Sequence, residues 1–285
     1  MKCLKTGAFF LMLGGVMLNA QSLKSPDGKF EMNFQLKNGE AFYNLAYQGK
    51  TVVEDSKLGL RLFKEGGLTF ASEIDPTVNE GKNLNNGFVK VDEKRDSKNE
   101  SWNPVLGEKK TYINHYNELA VTLNQPQTDR QMIVKFRLFN DGLGFRYEFP
   151  QQKNLNYFVI KEEDTEIDFV DDLKAFWITA DYDTQEYNYM TSKISEIPSK
   201  WPTSYEGNAS QSVVKDAVQV PLMLKKEGAQ PFYINVAEAA VLNYPAAHLE
   251  VDAKNLKFKT HLTPDGQGAK GYMQTPSVTP WRTII

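Results

Sequence analysis

Apolar and polar residues alternate along much of this chain with a period of two, and that period limits the fold more than any other feature. Phe30, Met32, Phe34 and Leu36 alternate with polar neighbours, and Asn38-Gly39 follows as a type I′ hairpin signal before Phe42–Tyr47. Leu58, Leu60 and Leu62 repeat the pattern, as do Met132, Val134, Phe136 and Leu138. Asn140-Asp141-Gly142 breaks that run, and Phe145, Tyr147 and Phe149 resume it. Tyr157–Ile160, Ala175–Ile178, Val218–Leu224 and Phe232–Val236 read as further buried or half-buried strands. Successive side chains of a strand point to opposite faces, so this pattern places one face of each segment in a core. Beyond the first twenty residues no segment sustains a helical period. Many short strands parted by Gly, Asn, Asp and Pro turns predict an all-β sandwich. The polar stretch 75–104 reads as a long excursion or flexible insert, and Glu196–Ser212, polar and broken by Pro198 and Pro202, as a functional loop.

Residues 1–20 read as a signal peptide: Lys2 and Lys5 precede an apolar run from Ala8 to Leu18, and Ala20 offers a small residue for cleavage. That run is short for a membrane span. Cleavage would remove Cys3, the only cysteine, so the mature domain, 21–285, is expected to lack disulfides. Export without disulfides points to a bacterial periplasm or cell surface. A formal charge of −3 gives no general attraction to nucleic acid or anionic lipid.

Short motifs supply little chemistry. Gly266-Gln267-Gly268-Ala269-Lys270-Gly271 matches the dinucleotide spacing G-x-G-x-x-G, but no helix follows to receive a pyrophosphate, so it reads as a turn. There is no G-x-S-x-G elbow, and His115, His248 and His261 are scattered, without H-E-x-x-H spacing. His115 reads as a packed histidine. Asp181-Tyr182-Asp183-Thr184-Gln185-Glu186-Tyr187 brings three carboxylates within six residues, which suits a hard cation such as Ca²⁺ or a solvated acidic turn. The run Glu162-Glu163-Asp164-Thr165-Glu166 reads as a solvated face. Of the four tryptophans, Trp177 reads as core and Trp201 as the exposed one, available to stack on a sugar.

Longer segments carry a resemblance. His115–Leu123, Phe136–Pro150, Leu155–Glu163, Asp181–Tyr187, Gly271–Pro276 and Thr279–Ile285 closely resemble the N-terminal region of glycoside hydrolase family 97, and within it the α-glucosidases. The resemblance runs from about Ser25 to the last residue. It implies a galactose-mutarotase-like β-supersandwich that packs on a (β/α)₈ catalytic barrel, with hydrolysis of α-glycosidic bonds and Ca²⁺ at the active site. The general acid and base lie in the barrel in such enzymes, so no catalytic residue is expected in this chain. The chain stops at Ile285, where the family goes on into the barrel.

Residue by residue, the resemblance places a Ca²⁺ ligand at Glu186. A substrate loop follows at Gly207, Asn208 and Ala209, of which only Asn208 keeps the family's residue type. The implied partners are an α-glucoside or malto-oligosaccharide and the barrel, with no nucleic acid and no membrane span. Alone, such a chain should not turn over substrate, because one metal ligand and a loop cannot supply a matched acid and base. The rival expectation is a stand-alone carbohydrate-binding or assembly module without hydrolase activity.

Overall fold

Asn38 and Gly39 both take positive φ, 52° and 81°, the backbone that a two-residue type I′ turn demands. That turn sets Lys37 opposite Glu40 and so fixes the register of the first hairpin. The computed structural model describes residues 21–63, 83–207, 210 and 212–285. The period-2 expectation is met: the described residues form an all-β structure of four sheets.

Strands β1 (Gln21–Lys24), β2 (Phe30–Lys37), β3 (Glu40–Tyr47) and β4 (Lys50–Leu58) form an antiparallel four-stranded sheet in chain order. It packs on a ten-stranded sheet. The order there is β14 (Met190–Lys193), β12 (Lys174–Trp177), β16 (Leu222–Lys226), β17 (Phe232–Ala239), β22 (Trp281–Ile284), β9 (Leu143–Phe149), β8 (Arg130–Phe139), β7 (Tyr112–Gln125) and β6 (Val89–Trp102). The short β21 (Ser277–Val278) also pairs with β9.

Between these two sheets Phe34 lies 6.0 Å from Phe136, and Tyr43 lies 4.8 Å from Phe145, ring centre to ring centre. Met132, Val134, Phe136 and Leu138 are wholly buried, each worth about 1.5–3 kcal/mol of apolar transfer. A five-stranded sheet has the order β11 (Glu166–Asp168), β19 (Lys257–Leu262), β18 (Ala247–Asp252), β15 (Val213–Gln219), β13 (Thr179–Asp181). The fourth sheet is β20 (Tyr272–Gln274), β10 (Tyr157–Glu163) and β5 (Leu60–Leu62). One contiguous apolar core runs through all four.

The departures from expectation have local causes. Leu58–Leu62 is two strands in two sheets, pivoting at Gly59 (φ 155°), whose N–H is held by the Tyr147 hydroxyl at 3.0 Å. Val218–Leu224 likewise divides at Val220-Pro221 between the five- and ten-stranded sheets. Residues 89–102, expected to be an excursion, form the fourteen-residue strand β6. Its side chains are almost all exposed, so it has no apolar face to read; backbone pairing along β7 supports it instead. Glu196–Ser212, expected to be a loop, contains helix α1 (Ile197–Tyr205), entered through a 3₁₀ turn at Ile194–Glu196. Pro198 is tolerated in the first turn, where a helical N–H has no partner to lose. Among the described residues no helix is long and apolar enough to cross a membrane.

Candidate functional site

Trp177 ends β12 buried in the core, its indole N–H donating to the Ser192 hydroxyl at 2.9 Å. Two residues later the chain enters the five-stranded sheet as β13, and it leaves that strand at Asp181. The carboxylate of Asp181 organises everything that follows. One oxygen accepts the backbone N–H of Asp183 at 2.7 Å and of Thr184 at 3.1 Å, and the other accepts the Tyr187 hydroxyl. Burial alone would raise the pKa of Asp181. Hydrogen bonds from Ser210, Tyr187 and the two backbone amides outweigh it and hold the group below the ordinary carboxylate range. Burial and the bond to Asp181 push the Tyr187 phenol up to about 12.

Asp181, the first carboxylate of the cluster, is therefore a buried anchor. The turn it fixes exposes Asp183, Gln185 and Glu186. The Glu186 N–H donates to Thr184 Oγ1 at 3.2 Å, which fixes the backbone from which its side chain projects.

Helix α1 brings the second candidate segment back against this turn. Ser204 accepts the Thr179 N–H at 3.1 Å and donates to the Asn188 carbonyl at 3.0 Å. Tyr205 stacks between Trp201 and Tyr187, at 5.5 and 6.1 Å, and its hydroxyl donates to the Ser210 carbonyl at 3.0 Å. Beyond the helix, the Ser212 hydroxyl donates to Asp183, and the Tyr182 N–H donates to the Ser212 carbonyl at 3.2 Å. The turn bearing Glu186 and the loop containing Gly207 are thus stitched into one rim. Gly207 is exposed at φ 83°, with open space where a side chain would be. Asn208 and Ala209 lie outside the described residues.

Calcium takes six to eight oxygen ligands. Among the described residues no group of three or more His, Cys, Asp or Glu side chains converges on a metal-sized site. The rim fits the loan of one carboxylate to a metal held mainly by other groups, and it does not fit a self-contained site.

Two sequence expectations are corrected here. Trp201 is half-buried, packed on the core with its indole N–H donating to the Ala217 carbonyl at 3.2 Å, because α1 turns it inward. The more exposed tryptophan is Trp102, in β6. The acidic run 162–166 is no solvated face: Glu162, Glu163, Asp164 and Thr165 are buried, and the acids are matched by bases. Glu162 pairs with Lys270, and Glu163 with Arg282 at 2.7 Å. Asp164 pairs with Arg61 at 3.0 Å and Lys259 at 3.1 Å, and Glu166 with Lys257 at 2.8 Å.

A signal for this was present in the sequence. Lys257, Lys259 and His261 recur every second residue on β19, a basic row facing the acids; His261 lies 3.7 Å from Glu162. Two of the three histidines also converge: His248 and His261 are cross-strand neighbours and both rings lie against Tyr182, while His115 stays apart on β7. Gly266–Gly271 is a turn closed by Asp265, which accepts the N–H groups of Gln267 and Ala269, with no helix after it. A hollow of about 550 Å³, lined in part by Asp172, Lys174, Lys193 and Lys226, contains none of the rim residues.

Residues 23–285 match the family described as Glycosyl-hydrolase 97 N-terminal. A glycoside hydrolase family 97 enzyme from Pseudoalteromonas sp. strain K8, solved in complex with acarbose, superposes with a TM-score of 0.75 at 28% identity, over 93% of this chain and 35% of that one. A variant of that enzyme in complex with panose gives 0.74 at 28% identity with the same coverage. A β-arabinopyranosidase shares the fold, with a TM-score of 0.71 at 19% identity over 93% of this chain and 39% of the other. The chain thus spans little more than a third of the length of these enzymes.

Proposed function

The chain belongs to the glycoside hydrolase family 97 N-terminal domain, and from that premise we propose that it serves as the β-domain of an exported α-glucosidase-type enzyme. In this reading residues 1–20 direct export to the periplasm, and 21–285 pack on a catalytic (β/α)₈ barrel. Glu186 supplies one oxygen ligand to a Ca²⁺ held mainly by the barrel, and Gly207, Asn208 and Ala209 belong to a loop that contacts an α-glucoside or malto-oligosaccharide. The observation that carries the proposal is the Asp181-anchored rim. A buried carboxylate, four hydrogen bonds and a stacked aromatic column hold an exposed glutamate and an open loop side by side.

When bound, Ca²⁺ would supply electrostatic stabilisation and orientation at the sugar. This chain's own part is to present Glu186 on the rim beside the loop that follows helix α1. In this reading the general acid and base come from the barrel, so the chain alone is expected not to hydrolyse maltose or p-nitrophenyl α-glucoside. The deciding experiment joins the chain to a family 97 barrel and compares it with the Glu186→Gln variant by calorimetric Ca²⁺ titration. Ca²⁺ affinity should fall about 10- to 100-fold, the scale of losing a contact that supports a metal site, with folding unchanged. Equal affinity in the two proteins would refute the ligand assignment, and turnover by the chain alone would refute its role as an accessory domain.

A further inference from the structure

The outer edge of the ten-stranded sheet is β6, and among the described residues nothing pairs with that edge. A fourteen-residue edge is a template for another strand, and proteins usually guard such edges with charge; here the Asp92 and Asp96 carboxylates accept the N–H groups of Glu93 and Ser97 at 2.8 Å, bonds that a pairing strand would replace. Here the charges are ordered. Asp92, Lys94, Asp96, Lys98 and Glu100 alternate in sign on one face of the strand. Lys94 lies 3.9 Å from Asp92 and Lys98 lies 2.9 Å from Glu100, as shared orientation requires. On the other face Arg95 reaches back to the Ser22 carbonyl at 2.7 Å and to Glu93 at 2.8 Å.

We propose that β6 is a homodimer edge, pairing antiparallel with β6 of a second copy about a two-fold axis at Ser97, so that the sheet continues across both chains. A two-fold axis perpendicular to the sheet sets residues of equal parity opposite one another, which leaves a small set of registers. Centred on Ser97, Asp96 meets Lys98 and Lys94 meets Glu100, each twice by symmetry. On the opposite face Ser97 meets itself, Arg95 meets Asn99 and Glu93 meets Ser101. No like charges face each other.

Centred on Asp96 instead, Lys94 meets Lys98 and Asp92 meets Glu100; centred on Arg95, Lys94 meets Asp96 and Asp92 meets Lys98, but the two arginines meet at the axis. Like charges directly opposite are destabilising, and of the registers that set no like charges opposite, the one centred on Ser97 makes the most opposite-charge pairs. The same register carries Trp102 past Asp92 toward Val91 and Val89 of the other copy. These three are among the large apolar side chains that the domain leaves exposed, at 55%, 51% and 45%. Ion pairs at the centre are thus flanked by apolar contact at both ends. An edge pairing this small belongs to the weak, concentration-dependent class of interface.

The test uses the full chain with Cys3→Ser, and sedimentation velocity from micromolar to hundreds of micromolar. A monomer–dimer equilibrium is expected, weakening with added salt. Lys94→Glu with Lys98→Glu turns the attractive pairs repulsive and should weaken dimerisation at least roughly tenfold; adding Asp96→Lys and Glu100→Lys should restore it. Independently, Ser97→Cys should cross-link to itself as a disulfide dimer under oxidation, whereas Ser101→Cys, which faces Glu93, should not. A chain that stays monomeric throughout, a dimer indifferent to the charge reversal, or cross-linking at Ser101 in place of Ser97 would each overturn the proposal.

Discussion

Replacing Glu163 with Gln keeps the shape of the side chain and removes one charge from the most enclosed ion pair in the domain. Glu163 is fully buried. It accepts Arg282 through Nε at 2.9 Å and Nη2 at 2.7 Å, Thr165 Oγ1 at 2.8 Å, and the Tyr244 hydroxyl at 2.9 Å. Burial would raise its pKa, but Arg282 and these hydroxyls outweigh burial and hold it below the ordinary value. Gln at this position presents an amide N–H₂ where Arg282 and Tyr244 need an acceptor, and it leaves the Arg282 charge with Glu238 alone.

Removing one partner of a buried pair costs about 3–5 kcal/mol. For a domain of this size each kcal/mol moves the melting midpoint by about 2–4 °C, so a fall of about 6–20 °C is expected. Thermal and urea unfolding followed by circular dichroism would read it, with the exposed Glu108→Gln as a surface control expected to stay within about 0.5 kcal/mol. Glu163 lies on β10, Arg282 on β22 and Glu238 on β17, so the variant should also loosen the three-stranded sheet from the ten-stranded one. A loss below about 1 kcal/mol would refute the assignment of this pair as the tie between sheets.

Three further outcomes follow from the geometry. Asp181→Ala strands the N–H groups of Asp183 and Thr184 and the Tyr187 hydroxyl; a loss of about 1–3 kcal/mol is expected, with faster hydrogen exchange confined to the rim. Gly142→Ala would place a Cβ 2.3 Å from the Ile284 carbonyl oxygen, so the end of β22 must move off β9; about 1–3 kcal/mol of destabilisation is expected in urea melts.

The third concerns pH. His248 is buried, and burial, aided by His261, lowers its pKa from 6.5 to about 4. A group whose charged form is excluded from the folded state stabilises fully above its unfolded pKa, and that contribution disappears as pH falls from 6.5 toward 4. Roughly 3 kcal/mol is at stake, and His248→Gln should flatten this limb of the stability profile. The lowered pKa values of Glu163 and Asp181 act at lower pH, below the unfolded carboxylate range near 4.

The sequence by itself determined the β class, the first hairpin and the placing of Met132–Leu138 and Phe145–Phe149 in the core. Each of these depends on local backbone preference or on a period-2 face, and both are written residue by residue. Family membership was also legible, because the matching segments are long and dispersed. Where one strand ends and the next sheet begins was not: Leu58–Leu62 alternates without interruption, and only the pivot at Gly59, gripped by Tyr147 from a distant strand, divides it. Strand β6 was invisible because an edge exposed on both faces needs no apolar period.

The candidate site divides in the same way. Glu186 and Gly207 were nameable from the sequence, but their neighbourhood depends on α1 returning the chain and on Ser210 and Ser212 closing over Asp181 and Asp183. The acidic run at 162–166 looked solvated because its partners, Arg61, Lys259, Lys270 and Arg282, are spread over more than two hundred residues of chain. Whether a carboxylate is a surface charge or a buried tie depends on which base stands opposite it, and only the packing of four sheets around one core decides that.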